Sequence, residues 1–116
     1  MKNGIMYNQR EIILVPFPYS DLTSSKQRPA LIISNSLVNK SEDRICCLIT
    51  SNPLNKGVEI KKEDFEKGKL PFKSWIKVNR IFSVNEKIIK KKLCIINKSF
   101  HKQIIGELNR IFELEN

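Results

Sequence analysis

The sequence predicts a small, mostly β barrel closed by one C-terminal helix, and three observations predict it. Short apolar runs of strand length, rich in β-branched residues, recur from Ile12 to Ile96 between polar or Pro-containing connections. One longer segment, Ser74 to Val84, alternates with period two. Helical spacing is confined to the tail, and five or six short strands with a terminal helix suit a barrel that the helix plugs. With 116 residues, 41% of them hydrophobic, the chain reads as a single domain over 1–116 with apolar content for one core. No internal repeat, low-complexity segment or domain linker interrupts it.

Taken in order, residues 1–9 read as a loose leader. Ile12–Val15 and Ala30–Ser34 are continuous apolar runs of strand length, rich in β-branched residues. Between them lies a polar loop, Pro16 to Ser25, that closes on Lys26-Gln27-Arg28-Pro29. Asn35 to Glu42 is a polar connection. Arg44 to Thr50 is a third buried strand, ended by Ser51-Asn52-Pro53. Val58 to Ile60 is a short strand, and Lys61 to Lys69 a charged turn region closing on Gly68. Along Ser74 to Val84, Trp75, Lys77, Asn79 and Ile81 fall on one parity, and Ile76, Val78, Arg80 and Phe82 on the other. Val84 to Lys90 suits a turn of helix, and Leu93 to Ile96 a last strand. In the tail, Phe100, Ile104, Ile105, Leu108, Ile111 and Phe112 share one helical face over 99–115, with Ser99 as N-cap. Gly106 inside that helix costs about 1 kcal/mol relative to Ala.

The formal net charge is +9. The tail from Ser99 carries Lys102 and Arg110 against Glu107, Glu113 and Glu115, a net −1, which leaves +10 on the preceding residues. A basic body points to a polyanionic partner, nucleic acid or an anionic surface, or to a surface kept basic for solubility. The three cysteines are Cys46, Cys47 and Cys94. With one His and no CxxC spacing they argue against structural zinc and for reduced thiols of a cytoplasmic protein. Ile12–Val15 is too short for a signal-peptide core and is broken by Pro16 and Pro18. No apolar stretch approaches the ~20 residues needed to span a bilayer, so no membrane role is expected.

Four groups of residues are candidates for chemistry. Arg28, at a strand start before Pro29, reads first as a structural arginine paired with Asp21, Glu11 or a backbone carbonyl. It reads second as an aimed guanidinium for a phosphate. Thr50-Ser51-Asn52 follows a buried strand and is either turn chemistry or a rim of hydroxyls. Ser74, Lys77, Asn79 and Arg80 lie on the long strand, where Lys77 and Asn79 share a parity with Trp75. That face is either partly buried or an exposed stacking platform. Phe17, Tyr19 and Lys26 mix rings with a cation, as single-stranded nucleic acid requires, although Phe17 fits a core position better. The run Lys87, Lys90, Lys91 and Lys92 reads as a solvated face, and His101 lies apart from the other groups.

Together these segments resemble the MazF/PemK family of toxin endoribonucleases. The resemblance rests on IILVPFPYSDLTSSKQRPALIIS at 12–34, CLITSNP at 47–53 and LPFKSWIKVNRIFSV at 70–84, and runs over about residues 10–112. It implies an SH3-like barrel that forms a homodimer, cleaves single-stranded RNA (mRNA) without a metal or other cofactor, and is neutralised by a cognate acidic antitoxin. It implies Arg28 and Thr50 as the catalytic pair. Tyr19, Lys26, Gln27, Ser51, Asn52, Ser74, Lys77 and Asn79 are then the expected RNA-binding residues. The implied reaction is attack by a ribose 2′-OH on its own phosphate, leaving a 2′,3′-cyclic phosphate and a 5′-OH. The sequence departs from the family at three places. Arg10-Glu11 stands where Gly-Asp is common, Lys77 and Asn79 where some members carry an Arg and an acidic residue, and Cys94 where Gly is common. Two other functions fit the same fold: a non-enzymatic toxin, such as a gyrase-poison-like protein, and an RNA-binding module without activity.

Overall fold

The computed structural model describes residues 6–16, 26–54 and 57–116. Among the described residues seven strands form one antiparallel sheet that curls into a nearly closed barrel. They are β1 (Glu11–Pro16), β2 (Gln27–Ile32), β3 (Asp43–Thr50), β4 (Val58–Ile60), β5 (Phe65–Lys67), β6 (Ser74–Asn85) and β7 (Lys91–Ile96). Their order across the sheet is β4-β6-β3-β2-β1-β7-β5. Two helices accompany them, the one-turn α1 (Ser36–Asn39) and the C-terminal α2 (Lys98–Phe112).

The continuous apolar runs follow from burial on both faces. Ile12, Leu31, Cys47, Ile49, Ile60, Ile76, Cys94 and Ile96 point to one face, where Phe100, Ile104 and Leu108 of α2 cover them. Ile13, Val15, Ala30, Ile32, Cys46, Phe82, Val84 and Ile89 form a second core on the other face. Neighbours in sequence therefore serve opposite cores: Ile12 and Ile13, Leu31 and Ile32, and Cys46 and Cys47. Burial pushes the thiols of Cys46 and Cys47 up to about 12 and that of Cys94 up to about 11. All three are free thiols inside the protein.

Several expected elements shift. The charged segment 61–69 contains a 3₁₀ turn at Lys62–Asp64 and the edge strand β5. The polar connection after β2 contains α1, capped by the Asn35 side chain, which accepts from the Leu37 N–H. The N-cap of α2 is Asn97, not Ser99: its side-chain Oδ1 accepts the Phe100 N–H at 2.7 Å. Asn97 also donates from Nδ2 to the Glu63 carbonyl at 2.9 Å, so the cap is chosen by a tertiary contact as well as by local chemistry. The helix ends at Phe112, with Ile111 and Phe112 exposed. Its buried stripe stops at Leu108, the last residue of α2 in the core.

Residues 6–9, the described part of the leader, are tied down. Gln9 donates to the Ile33 carbonyl at 2.8 Å, and Tyr7 packs on the second core. Arg44, read as the first residue of a buried strand, is fully buried and pairs with Glu86 at 3.1 Å. It also donates to the carbonyls of Tyr7, Ser41 and Asp43. A buried guanidinium persists only when its donors are met in this way, and burial lowers its pKa from the ordinary arginine value.

Candidate functional site

Strand register assembles the site. β3 and β6 pair Ile49 with Ile76 and Thr50 with Trp75, and β4 and β6 pair Val58 with Ile76 and Glu59 with Trp75. Cross-strand partners share a face, and successive residues alternate. Ile49 and Ile76 lie in the core beneath α2, so Thr50, Trp75 and Glu59 form a row on the opposite face. The β2–β3 ladder pairs Ile32 with Cys46, Leu31 with Cys47 and Ala30 with Leu48. Carried two residues further in the same register, it reaches Arg28 and Thr50. With the ladder extended in this way past its last paired residues, Ala30 and Leu48, the row reads Arg28, Thr50, Trp75, Glu59, of which Thr50, Trp75 and Glu59 are paired directly. The next row runs through Ala30, Leu48 and Lys77. At one end this face holds the second core; at the other it opens to solvent, with Arg28 exposed and Thr50, Trp75 and Lys77 half-buried.

Side-chain partners distinguish the members. Among the described residues Arg28 has no hydrogen-bond or ion-pair partner. Glu11, one alternative partner, is engaged by Lys92 at 3.0 Å and by the Asn8 N–H at 2.7 Å, and Asp21 lies outside the described residues. Thr50 Oγ1 accepts the Asn52 N–H at 3.1 Å. That bond fixes the hydroxyl oxygen and leaves its proton to donate. Asn52 Oδ1 accepts the Leu54 N–H at 3.0 Å, so turn chemistry occupies the carbonyl end of Asn52 and leaves its amide protons. Ser51 is exposed, as is Lys26 at the entry to β2; Gln27 is half-buried.

The remaining candidates are not in this row. Ser74 is buried on the α2 side, pairs with Ile60, and donates its hydroxyl to the Phe72 carbonyl at 2.8 Å. Between Cys47↔Ile81 and Leu48↔Lys77 the register jumps, so residues 78–80 on β6 have no counterpart on β3. In this bulge strict alternation is lost. Val78 and Ile81, of opposite parity, both pack on the core beneath α2. Parity therefore no longer assigns Lys77 and Asn79 to one face, and Asn79 is exposed in the bulge. Tyr19, with Phe17, lies outside the described residues.

Sequence reasoning did not single out Glu59, Phe72 or Lys73. Lys73 Nζ lies 6.0 Å from the centre of the Trp75 ring and 3.4 Å from Glu59 Oε2. The parity of Trp75 with Lys77 was the available signal; which strand flanks Trp75 was not written locally. Among the described residues no three His, Cys, Asp or Glu side chains come together to hold a metal ion. Arg28, Lys26 and Lys77 give this open end cationic character, and a guanidinium level with a hydroxyl donor can hold a phosphate and meet charge developing on its oxygens.

Comparison with known proteins supplies a family and a fold. Residues 8–112 match the family model described as a PemK-like, MazF-like toxin of type II toxin–antitoxin systems. None of the curated proteins matches the sequence. Among solved structures, the chain resembles an endoribonuclease bound to its cognate antitoxin from a Mycobacterial species, with a TM-score of 0.71, 16% identity and 99% of each chain covered. It also resembles MazF from Deinococcus radiodurans, with a TM-score of 0.72, 15% identity, and 96% of this chain and 100% of that one covered. A MazE–MazF structure from the same organism gives a TM-score of 0.74 at 15% identity, over 97% of this chain and 100% of that one. At these identities the likeness is one of fold.

Proposed function

Because the chain belongs to the PemK-like, MazF-like toxins of type II toxin–antitoxin systems, we propose that it is a metal-independent endoribonuclease that cleaves single-stranded RNA, mRNA above all, at short sequence motifs. The reaction is attack of a ribose 2′-OH on the adjacent phosphate, with departure of the 5′-oxygen, giving a 2′,3′-cyclic phosphate and a 5′-OH. The nucleophile is already part of the substrate, so the protein's work is to align it and to stabilise the phosphorane. Arg28 binds the non-bridging oxygens. Thr50 donates the hydroxyl proton that its bond from the Asn52 N–H leaves available. Arg28 acts as a fixed guanidinium fork, and its role is electrostatic. Asn79, an amide, has no basic role. Ser51, Lys26, Gln27 and Lys77 flank the strand, as do the amide protons of Asn52; Tyr19 enters this reading through the family resemblance alone.

The observation that supports this reading most is the β2–β3 register, which, continued two residues past Ala30↔Leu48, sets Arg28 level with Thr50 at an open, cationic end of the sheet. The related structures are described as an endoribonuclease with its cognate antitoxin and as MazE–MazF. The reading includes a homodimer that works in the cytoplasm and is neutralised by an acidic antitoxin lying over the basic face, as charge complementarity favours.

The test is incubation of the purified protein with a long RNA in EDTA and mapping of the fragment ends. Fragments with 5′-OH and cyclic phosphate ends are expected. Arg28→Ala and Thr50→Ala should each lower the cleavage rate by about 10²–10³-fold. Intact RNA across varied sequences would overturn the reading, and 5′-phosphate ends would reject the 2′-OH chemistry. Growth arrest without RNA fragments would favour a non-enzymatic toxin.

A further inference from the structure

Beside Thr50 the sheet carries an aromatic surface that the catalytic reading does not use. Trp75 is the cross-strand partner of Thr50, so their Cβ atoms lie ~5 Å apart on one face. Trp75, Phe72, Lys73, Ser51 and Pro53 line a shallow hollow of about 490 Å³. Phe72 is 72% exposed and lines this hollow together with Trp75. Lys73 is held over the Trp75 ring by Glu59, on the far side of Trp75 from Thr50.

The charges in the hollow select the occupant. The Lys73 ammonium is balanced by the Glu59 carboxylate, which repels a phosphate or an acidic side chain placed there. What remains is two rings, Trp75 and Phe72, beside a neutral ion pair, and a flat uncharged group with polar edges fits it. A nucleobase is such a group, and stacking on aromatic rings is how single strands are held without regard to pairing. Glu59 can in addition accept from an exocyclic amine.

We propose that Trp75 and Phe72, with Lys73 and Glu59 at the edge, form a base-stacking subsite for the nucleotide flanking the scissile phosphate. It rests on the endoribonuclease reading and adds to it a positioning residue, Trp75, next to Thr50.

Trp75 is the single tryptophan of the chain, so its emission reports the subsite directly. The probe is a set of 2′-O-methyl octanucleotides, oligo(A), oligo(C) and oligo(U), which bind but offer no 2′-OH for cleavage. Saturable quenching of the emission by at least one of them is expected. Phe72→Ala, at an exposed position, should weaken that binding by about 5- to 150-fold, the range of one lost stacking contact. In the RNA cleavage assay it should change which sites are cut or lower the rate. Binding without a change in emission would overturn the inference, and so would Phe72→Ala binding and cutting as the parent does. Quenching by poly-L-glutamate but by no oligonucleotide would assign the platform to an acidic protein partner and also overturn it. Failure of the parent protein to cut any RNA sinks the endoribonuclease reading separately, since quenching by the oligonucleotides is read without cleavage.

Discussion

His101 sits in the first turn of α2, buried, with Nδ1 unpartnered among the described residues. Burial, and secondarily the Arg10 guanidinium, hold its pKa below the ordinary 6.5. The folded state therefore keeps the imidazole neutral where the unfolded chain takes up a proton. Stability is complete above pH 6.5, and is lost as the pH falls from there toward the folded-state pKa. Thermal denaturation at pH 7 and at about pH 5.5 should show a falling Tm, and His101→Gln should flatten that fall; an equal fall in the variant would remove His101 as its source. Arg10 itself has φ 76°, a left-handed conformation that suits glycine, at the position where the family resemblance calls for Gly. Arg10 holds that conformation while donating to Glu66 and to the Ile96 carbonyl, both at 2.9 Å. That a non-glycine stands there was plain in the sequence; what secures it was not, because both partners are more than fifty residues away.

β6 is the element on which the site depends. Its N-terminal half pairs with β4 and with the end of β3, its C-terminal half with the start of β3, and the bulge at 78–80 separates the two. The period-two reading of this strand was sound on either side of the bulge and failed across it, because a register jump leaves no mark in a hydrophobic pattern. β4 approaches β6 through Gly57. A Cβ at Gly57 would stand 2.7 Å from the Ile76 carbonyl oxygen and 3.1 Å from Trp75 Cβ. Gly57→Ala should therefore push β4 away from β6, costing about 1–3 kcal/mol of stability in urea unfolding. It should also shift the emission of Trp75; an unchanged midpoint would show that this edge of the sheet gives way freely. For α2 the apolar spacing announced the helix and its face. How much of that face is covered was settled by tertiary packing, which buries it as far as Leu108 and leaves Ile111 and Phe112 exposed.

For the whole molecule the net charge of +9 sets the long-range field. With Arg28, Lys26 and Lys77 as phosphate contacts, log K for a single-stranded oligonucleotide should fall with log[salt] at a slope of about −2. Lys26→Ala should make that slope shallower by about 0.7. A slope near zero in a filter-binding titration would show that the basic face does not carry the affinity. Among the described residues no helix is long and apolar enough to cross a membrane.

By itself the sequence determined the strands, the terminal helix, the basic body and the family, because these are written in local period, in composition and in the order of short motifs. It also singled out Arg28 and Thr50, each at a strand end. The tertiary structure decided which residues stand beside them. Register sets Trp75 against Thr50 and Glu59 against Trp75, turns Ser74 into the core, and places Asn79 in a bulge. The physical reason is that pairing across a sheet is fixed jointly by all the strands that share it. A one-residue slip moves every side chain to the other face, and no single segment contains that information.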